Sequence, residues 1–186
     1  KLNYAYRSYL QQIKDLEAKL ALMDDEIENI ADEERYKDKV DRLVCFSGVD
    51  TQTALTLVVE IGDFGRFATA EQFASYIGLV PGEDSSGQKK RTGSITKEGN
   101  SRVRVVLTEA AKAIKRSSPY HKSKRILERQ KGQSPEIIAY ADRGSKRIWQ
   151  KMMRMDSHGK NRNVSTTAGA RELACFVWGM MTGNIA

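Results

Sequence analysis

Apolar residues enter the chain on a strict 4-3 spacing: Leu2, Tyr6, Tyr9, Ile13, Leu16, Leu20, Met23, Ile27 and Ile30. No Gly or Pro interrupts the run, which is the signature of one helix carrying a heptad seam. The next seam position is Glu34, where the pattern stops. A single helix with one apolar stripe must bury it against a partner. No second seam of similar length follows, so residues 1–39 are expected to be a coiled-coil dimerisation helix. The bland alternative is that the helix lies on its own globular domain.

Residues 40–186 are patterned as a compact helical domain. Val40, Leu43 and Val44 lead to Gly48-Val49-Asp50 and then to the apolar stretch from Ala54 to Ile61. The order helix, glycine turn, helix is like a helix-hairpin-helix, a motif that offers backbone N–H groups to phosphate. Asp50 stands where a second glycine is usual. It would repel phosphate, and it or Thr51 can cap the second helix instead. Thr69 with Gln72 predicts a capping box for a helix through Tyr76. Asn100 or Ser101 precedes a helix whose stripe is Val103, Val106, Leu107, Ala110, Ala111 and Ile114. Ser118-Pro119 and Ser134-Pro135 each predict a cap followed by a first-turn proline. A polar break at 156–166 precedes a last helix faced by Ala170, Leu173, Ala174, Val177 and Trp178. Alternating strand patterns are missing, so the fold class is mainly α. Residues 78–100 hold five glycines and three serines and are expected to form a long loop.

Composition sharpens this picture through charge. The 186 residues carry a formal net charge of +7. Residues 1–40 hold 7 basic and 10 acidic side chains, whereas residues 88–131 hold 14 basic and 3 acidic. Such a single-sign block favours a polyanionic partner. Because it begins in a Gly/Ser-rich stretch without bulky apolar residues, nucleic acid is favoured over a membrane surface. No apolar run is long enough to span a bilayer, and the first residues are unlike a signal peptide. Cys45 and Cys175 read as buried thiols of a cytoplasmic protein, and with two histidines at unrelated spacings they make no metal ligand set.

The 78–100 stretch also holds the candidate chemistry. Ser85, Ser86 and Ser94 lie beside Lys89, Lys90, Arg91 and Lys97. Cations stabilise both a developing alkoxide and the anionic transition state of phosphoryl transfer. Glycines at 82, 87, 93 and 99 would let the backbone approach a phosphodiester. A loop that only grips phosphates is the alternative.

Several elements together resemble the C-terminal domain of the IS110 family of insertion-sequence transposases. They are EIGDFGRF (residues 60–67), the YxGLxP element from Tyr76 to Pro81, SSG from Ser85 to Gly87, GxIxKxGN from Gly93 to Asn100, and ARELACFVW from Ala170 to Trp178. They occur in the family's order across about residues 41–182. The resemblance implies a DNA recombinase guided by a structured bridge RNA. It implies a serine of the SSG element, Ser85 or Ser86, that forms a covalent phosphoserine–DNA intermediate, with Ser94 a third choice. Lys97 and Asn100 match the family's basic motif, and with Lys89, Lys90, Arg91, Arg102 and Arg104 they are the expected nucleic-acid contacts. The family's Mg²⁺ ions belong to an N-terminal RuvC-like domain, which these 186 residues do not contain. The chain by itself is therefore expected to bind nucleic acid without cutting it, as a dimer through the coil, or a tetramer as a dimer of dimers. A non-catalytic dimeric module that binds DNA or RNA phosphates is the competing expectation.

Overall fold

The computed structural model describes residues 2–86 and 89–185; the side chains of Leu2 and of residues 83–86 and 89–92 lie outside the description. The described residues are mainly helical. Helix α1 (Leu2–Ala31) is followed by α2 (Glu34–Leu43), α3 (Thr51–Ile61), a 3-10 turn at Phe64–Arg66 and α4 (Ala70–Tyr76). Two strands come next, β1 (Pro81–Ser86) and β2 (Lys89–Ile95). The chain ends in α5 (Ser101–Arg116), α6 (Lys124–Arg129), α7 (Pro135–Ser157) and α8 (Arg162–Thr182).

Helix α1 is continuous over the predicted seam and stops one residue past Ile30. Its end docks on α3, with Ile27 and Ile30 partly covered and Ala31 buried. The rest of the seam is bare: Tyr9, Ile13, Leu16, Leu20 and Met23 are all more than half exposed. The predicted boundary at 39/40 falls within α2, which buries Val40 and Leu43.

Helix α8 organises the domain, packing against α4, α5 and α7. Its predicted face is buried at Ala170, Leu173, Ala174 and Val177. The α5 stripe meets it with Leu107, Ala110, Ala111 and Ile114, all nearly inaccessible. Phe46 closes one end of this core in edge contacts with Tyr140 and Phe176. Burying each such large side chain contributes about 1.5–3 kcal/mol, which sets the scale of the core's contribution. Polar ties lie at the helix junctions. Glu172 of α8 accepts from Arg147 (2.5 Å) and Lys151 (2.6 Å) of α7. Lys115 of α5 meets Asp156 (2.5 Å) and Ser165 (3.2 Å).

The caps follow the local chemistry. Asp50, Thr69, Asn100 and Ser134 each accept from a backbone N–H two or three residues inside their helix. Gln72 reaches back to the Ala68 N–H at 2.9 Å. Ser118-Pro119 behaves differently from expectation. Its hydroxyl accepts from the Tyr120 N–H in a local turn, and α6 starts later, capped by Ser123. Ser–Pro also suits a turn, and nothing apolar follows at helical spacing to extend it.

The long loop expected over 78–100 is largely a two-stranded antiparallel hairpin, with a register irregularity between Pro81 and Glu83. Main-chain pairing defines these strands, which carry no apolar alternation in the sequence. The backbone register sets Asp84 opposite Arg91.

Candidate nucleic-acid interface and serine hairpin

The hairpin is held at its base by two crossing backbones. The Thr96 N–H donates to Val80 O (3.0 Å) and the Lys97 N–H to Gly78 O (3.2 Å), carrying the pairing past the strands. Gly78 (φ +70°) and Gly99 (φ +81°) lie where the two segments touch. A Cβ on Gly78 would lie 2.1 Å from Glu98 O, and one on Gly99 only 1.8 Å from Tyr76 O. Only glycine fits such an approach, and both glycines also occupy the left-handed region.

Distant residues brace this crossing. Arg104 donates to Ile77 O (2.9 Å) and Glu98 O (3.2 Å), tying both segments to α5. Asn100 caps α5 through its carbonyl oxygen, while its amide donates to Glu60 at 2.7 Å. Arg102 donates to the other Glu60 oxygen at 3.0 Å. These two hydrogen bonds hold the Glu60 carboxyl below its ordinary value. Arg66 lies over the rings of Phe67 and Tyr76, 4.7 and 4.6 Å from their centroids, and Trp178 donates to Phe67 O at 3.1 Å.

At the far end, the backbone register sets Ser85 opposite Lys90 and Ser86 opposite Lys89. The side chains of Ser85, Ser86, Lys89, Lys90 and Arg91 lie outside the described residues, as does Gly87 altogether. Of the other expected contacts, Lys97 is exposed and takes φ +57°, and Arg102 keeps 80% of its side chain exposed despite its ion pair. Asn100 and Arg104 are engaged inside the protein. Ser94 is exposed on β2 and lines a cleft of about 340 Å³ between the hairpin base and α8.

Sequence reasoning gave Glu60 no role. Its signal was present in the EIGDFGRF stretch, where an acid follows four apolar or hydroxyl residues at the end of a buried helix. The same stretch supplies Asp63, which caps the 3-10 turn by accepting from the Gly65 N–H at 2.8 Å.

The α2–α3 turn is turned inward. Gly48 (φ +84°) lies against α5, where a Cβ would meet Ala110 O at 2.6 Å. The Asp50 carboxylate occupies the α3 N-terminus, and Arg129 donates to Val49 O at 2.8 Å. Other nucleophiles are muted. Burial pushes the Cys45 thiol up to about 11 and raises that of Cys175 as well. No group of three or more His, Cys, Asp or Glu among the described residues could hold a metal ion, and no described helix is long and apolar enough to cross a membrane.

The structure thus defines a helical domain built around a clamped hairpin, whose strands carry paired serine and lysine positions. Residues 40–125 match the sequence model of the transposase IS116/IS110/IS902 family, and the chain carries a domain of that family. It is 40% identical over 131 residues to a Sinorhizobium fredii protein that bears the name of a transposase, y4qE, covering 70% of the chain and 33% of that relative. It is 32% identical over 164 residues to the transposase for insertion sequence element IS1533 of Leptospira borgpetersenii, covering 86% and 46%. With the transposase for IS1111A of Coxiella burnetii it shares 30% over 123 residues, covering 63% and 34%. The matched stretch thus spans a third to under a half of these relatives' lengths.

Proposed function

We propose that this chain is the serine-bearing part of a DNA transposase that mobilises an insertion sequence in the cytoplasm, with Ser85 or Ser86 as nucleophile. In the step envisaged, the serine Oγ attacks a DNA phosphorus and gives up its proton. The P–O bond to the neighbouring sugar breaks, and that sugar leaves as a hydroxyl. The serine phosphodiester conserves the bond, so a second DNA hydroxyl can reverse the step onto a new strand without ATP. Cationic groups close to the phosphate stabilise the added negative charge.

The observation that carries this proposal is the register of the hairpin, which sets both SSG serines opposite lysines on a backbone clamped by Gly78, Gly99 and Arg104. A nucleophile must be held in place to gain from proximity, and a braced hairpin does this better than a free loop. Lys89, Lys90, Arg91, Lys97 and Arg102 would grip phosphates, while Asn100 and Arg104 act by bracing. The resemblance to the family adds a structured guide RNA, whose base pairing would carry sequence choice. It also adds Mg²⁺ ions, which would polarise the reacting phosphate; their ligands would come from an acidic RuvC-like domain rather than from the residues described here. The bare α1 seam supports pairing with a second copy, as a dimer or a dimer of dimers.

The test is recombination by the complete protein carrying Ser85→Ala, Ser86→Ala or both. Loss of strand exchange with DNA binding retained is expected for the nucleophile. Full activity in the double variant would leave only the phosphate-gripping module, whose DNA affinity should fall with salt at a log–log slope near −0.9 per contact.

A further inference from the structure

The cleft between the hairpin base and α8 has features that phosphate gripping and serine chemistry leave unused. Its walls are apolar on both sides, with Leu79, Pro81 and Ile95 from the hairpin segment and Val164 and Ala168 from α8. Its volume of about 340 Å³ lies near the lower end of small-ligand sites, roughly 300–1,000 Å³, and is far too small for a duplex. Ser94, Asn163 and Thr167 also line it, the Thr167 hydroxyl donating to Asn163 O. Two cations, Lys151 and Arg171, complete the lining, and no acid does among the described residues. Lys151 is paired with Glu172, whereas Arg171 has no hydrogen-bond or ion-pair partner among the described residues.

From this combination we propose that the cleft holds one unstacked DNA nucleotide, its base between the apolar walls and its phosphate at Arg171. The proposal rests on the DNA reading above and names a subsite within it. A nucleobase has two apolar faces and a polar edge, which matches walls of this kind with polar residues between them. An apolar side chain from another protein segment would fill the walls but strip water from Arg171 without replacing it, which is costly. Gly93, Ser94 and Ile95 belong to the strand that begins at Lys89, so a nucleotide here lies on the strand of DNA that the hairpin engages.

The complete protein is titrated with a fluorescent DNA duplex, with the same duplex carrying a single-nucleotide bulge, and with that bulge in an RNA duplex. About tenfold tighter binding of the bulged DNA is expected, in line with one base–protein stacking contact. Ala168→Trp, which fills the cleft, should bring the bulged DNA down to the affinity of the perfect duplex. Val164→Trp should do the same from a position that is already half exposed and so tolerates a large side chain. Equal affinity for bulged and perfect DNA in the unmodified protein, a preference that survives both variants, or a preference confined to RNA would each overturn the inference alone. Absence of binding to any of the duplexes would overturn the DNA reading and this subsite with it.

Discussion

Replacing Gly99 by alanine tests how tightly the hairpin is clamped. Two costs add at this position. Its φ of +81° places an L-residue in the left-handed region, which costs about 1–2 kcal/mol. The new Cβ would also sit 1.8 Å from Tyr76 O and 3.0 Å from Tyr76 C. Both are backbone atoms, so the crossing must open, and overpacking of this kind costs about 1–3 kcal/mol. The sum is about 2–5 kcal/mol, within reach of a domain whose total stability is about 5–15 kcal/mol. Gly159 supplies the control: its φ is +71°, yet nothing lies within 4 Å of a Cβ built there. Gly159→Ala should therefore cost only the conformational part, about 1–2 kcal/mol. Urea unfolding of both variants, compared at equal m-value, isolates the contact cost. Hydrogen exchange adds a local readout, because the Thr96 and Lys97 amides that bond Val80 O and Gly78 O should exchange faster in Gly99→Ala only. Equal destabilisation by the two variants, within about 0.5 kcal/mol, would refute the clamp.

Leu16→Asp combined with Leu20→Asp should convert a homodimer to a monomer without loss of helix in the domain. Four buried side chains per dimer at about 1.5–3 kcal/mol each amount to about 6–12 kcal/mol, or more than four decades in dissociation constant. Sedimentation of the unmodified chain as a monomer at tens of micromolar would contradict this. Stability should be level above about pH 5 and fall at lower pH. The Glu172 carboxyl is opposed by burial, but Lys151 and Arg147 hold it below its ordinary 4.5, and Asp156 is held below 3.8 chiefly by its pairing with Lys115. Groups with depressed folded values stabilise above their unfolded values and lose that contribution as pH falls through the folded ones. Glu172→Gln should therefore flatten the acid limb of a pH series of urea midpoints, and an unchanged limb would count against the assignment.

The helical part of the fold was legible because it is written in local signals. The 4-3 seam ends at Ile30 and α1 ends at Ala31; the stripes of α5 and α8 are the buried faces. Caps at Asp50, Thr69, Asn100 and Ser134 were readable for the same reason. The hairpin was not, since Pro81–Ser86 and Lys89–Ile95 contain a single large aliphatic residue, Ile95, and pair through main-chain groups. The charge change from Glu83-Asp84 to Lys89-Arg91 was the available hint. Glu60 escaped notice because its partners Asn100 and Arg102 are 40 and 42 residues away, a distance only the tertiary fold closes. The same closure gives Arg104, expected as a nucleic-acid contact, hydrogen bonds to Ile77 O and Glu98 O that the sequence did not announce.

The account stands or falls on a bond between a hairpin serine and DNA. The complete protein should be incubated with a suicide DNA substrate that traps the reaction after strand cleavage, digested with protease, and the DNA-linked peptide sequenced by mass spectrometry. A phosphodiester on Ser85 or Ser86, lost when that residue is alanine, is the predicted result. Cleavage with no linked peptide, or a linkage through another side chain, would contradict it.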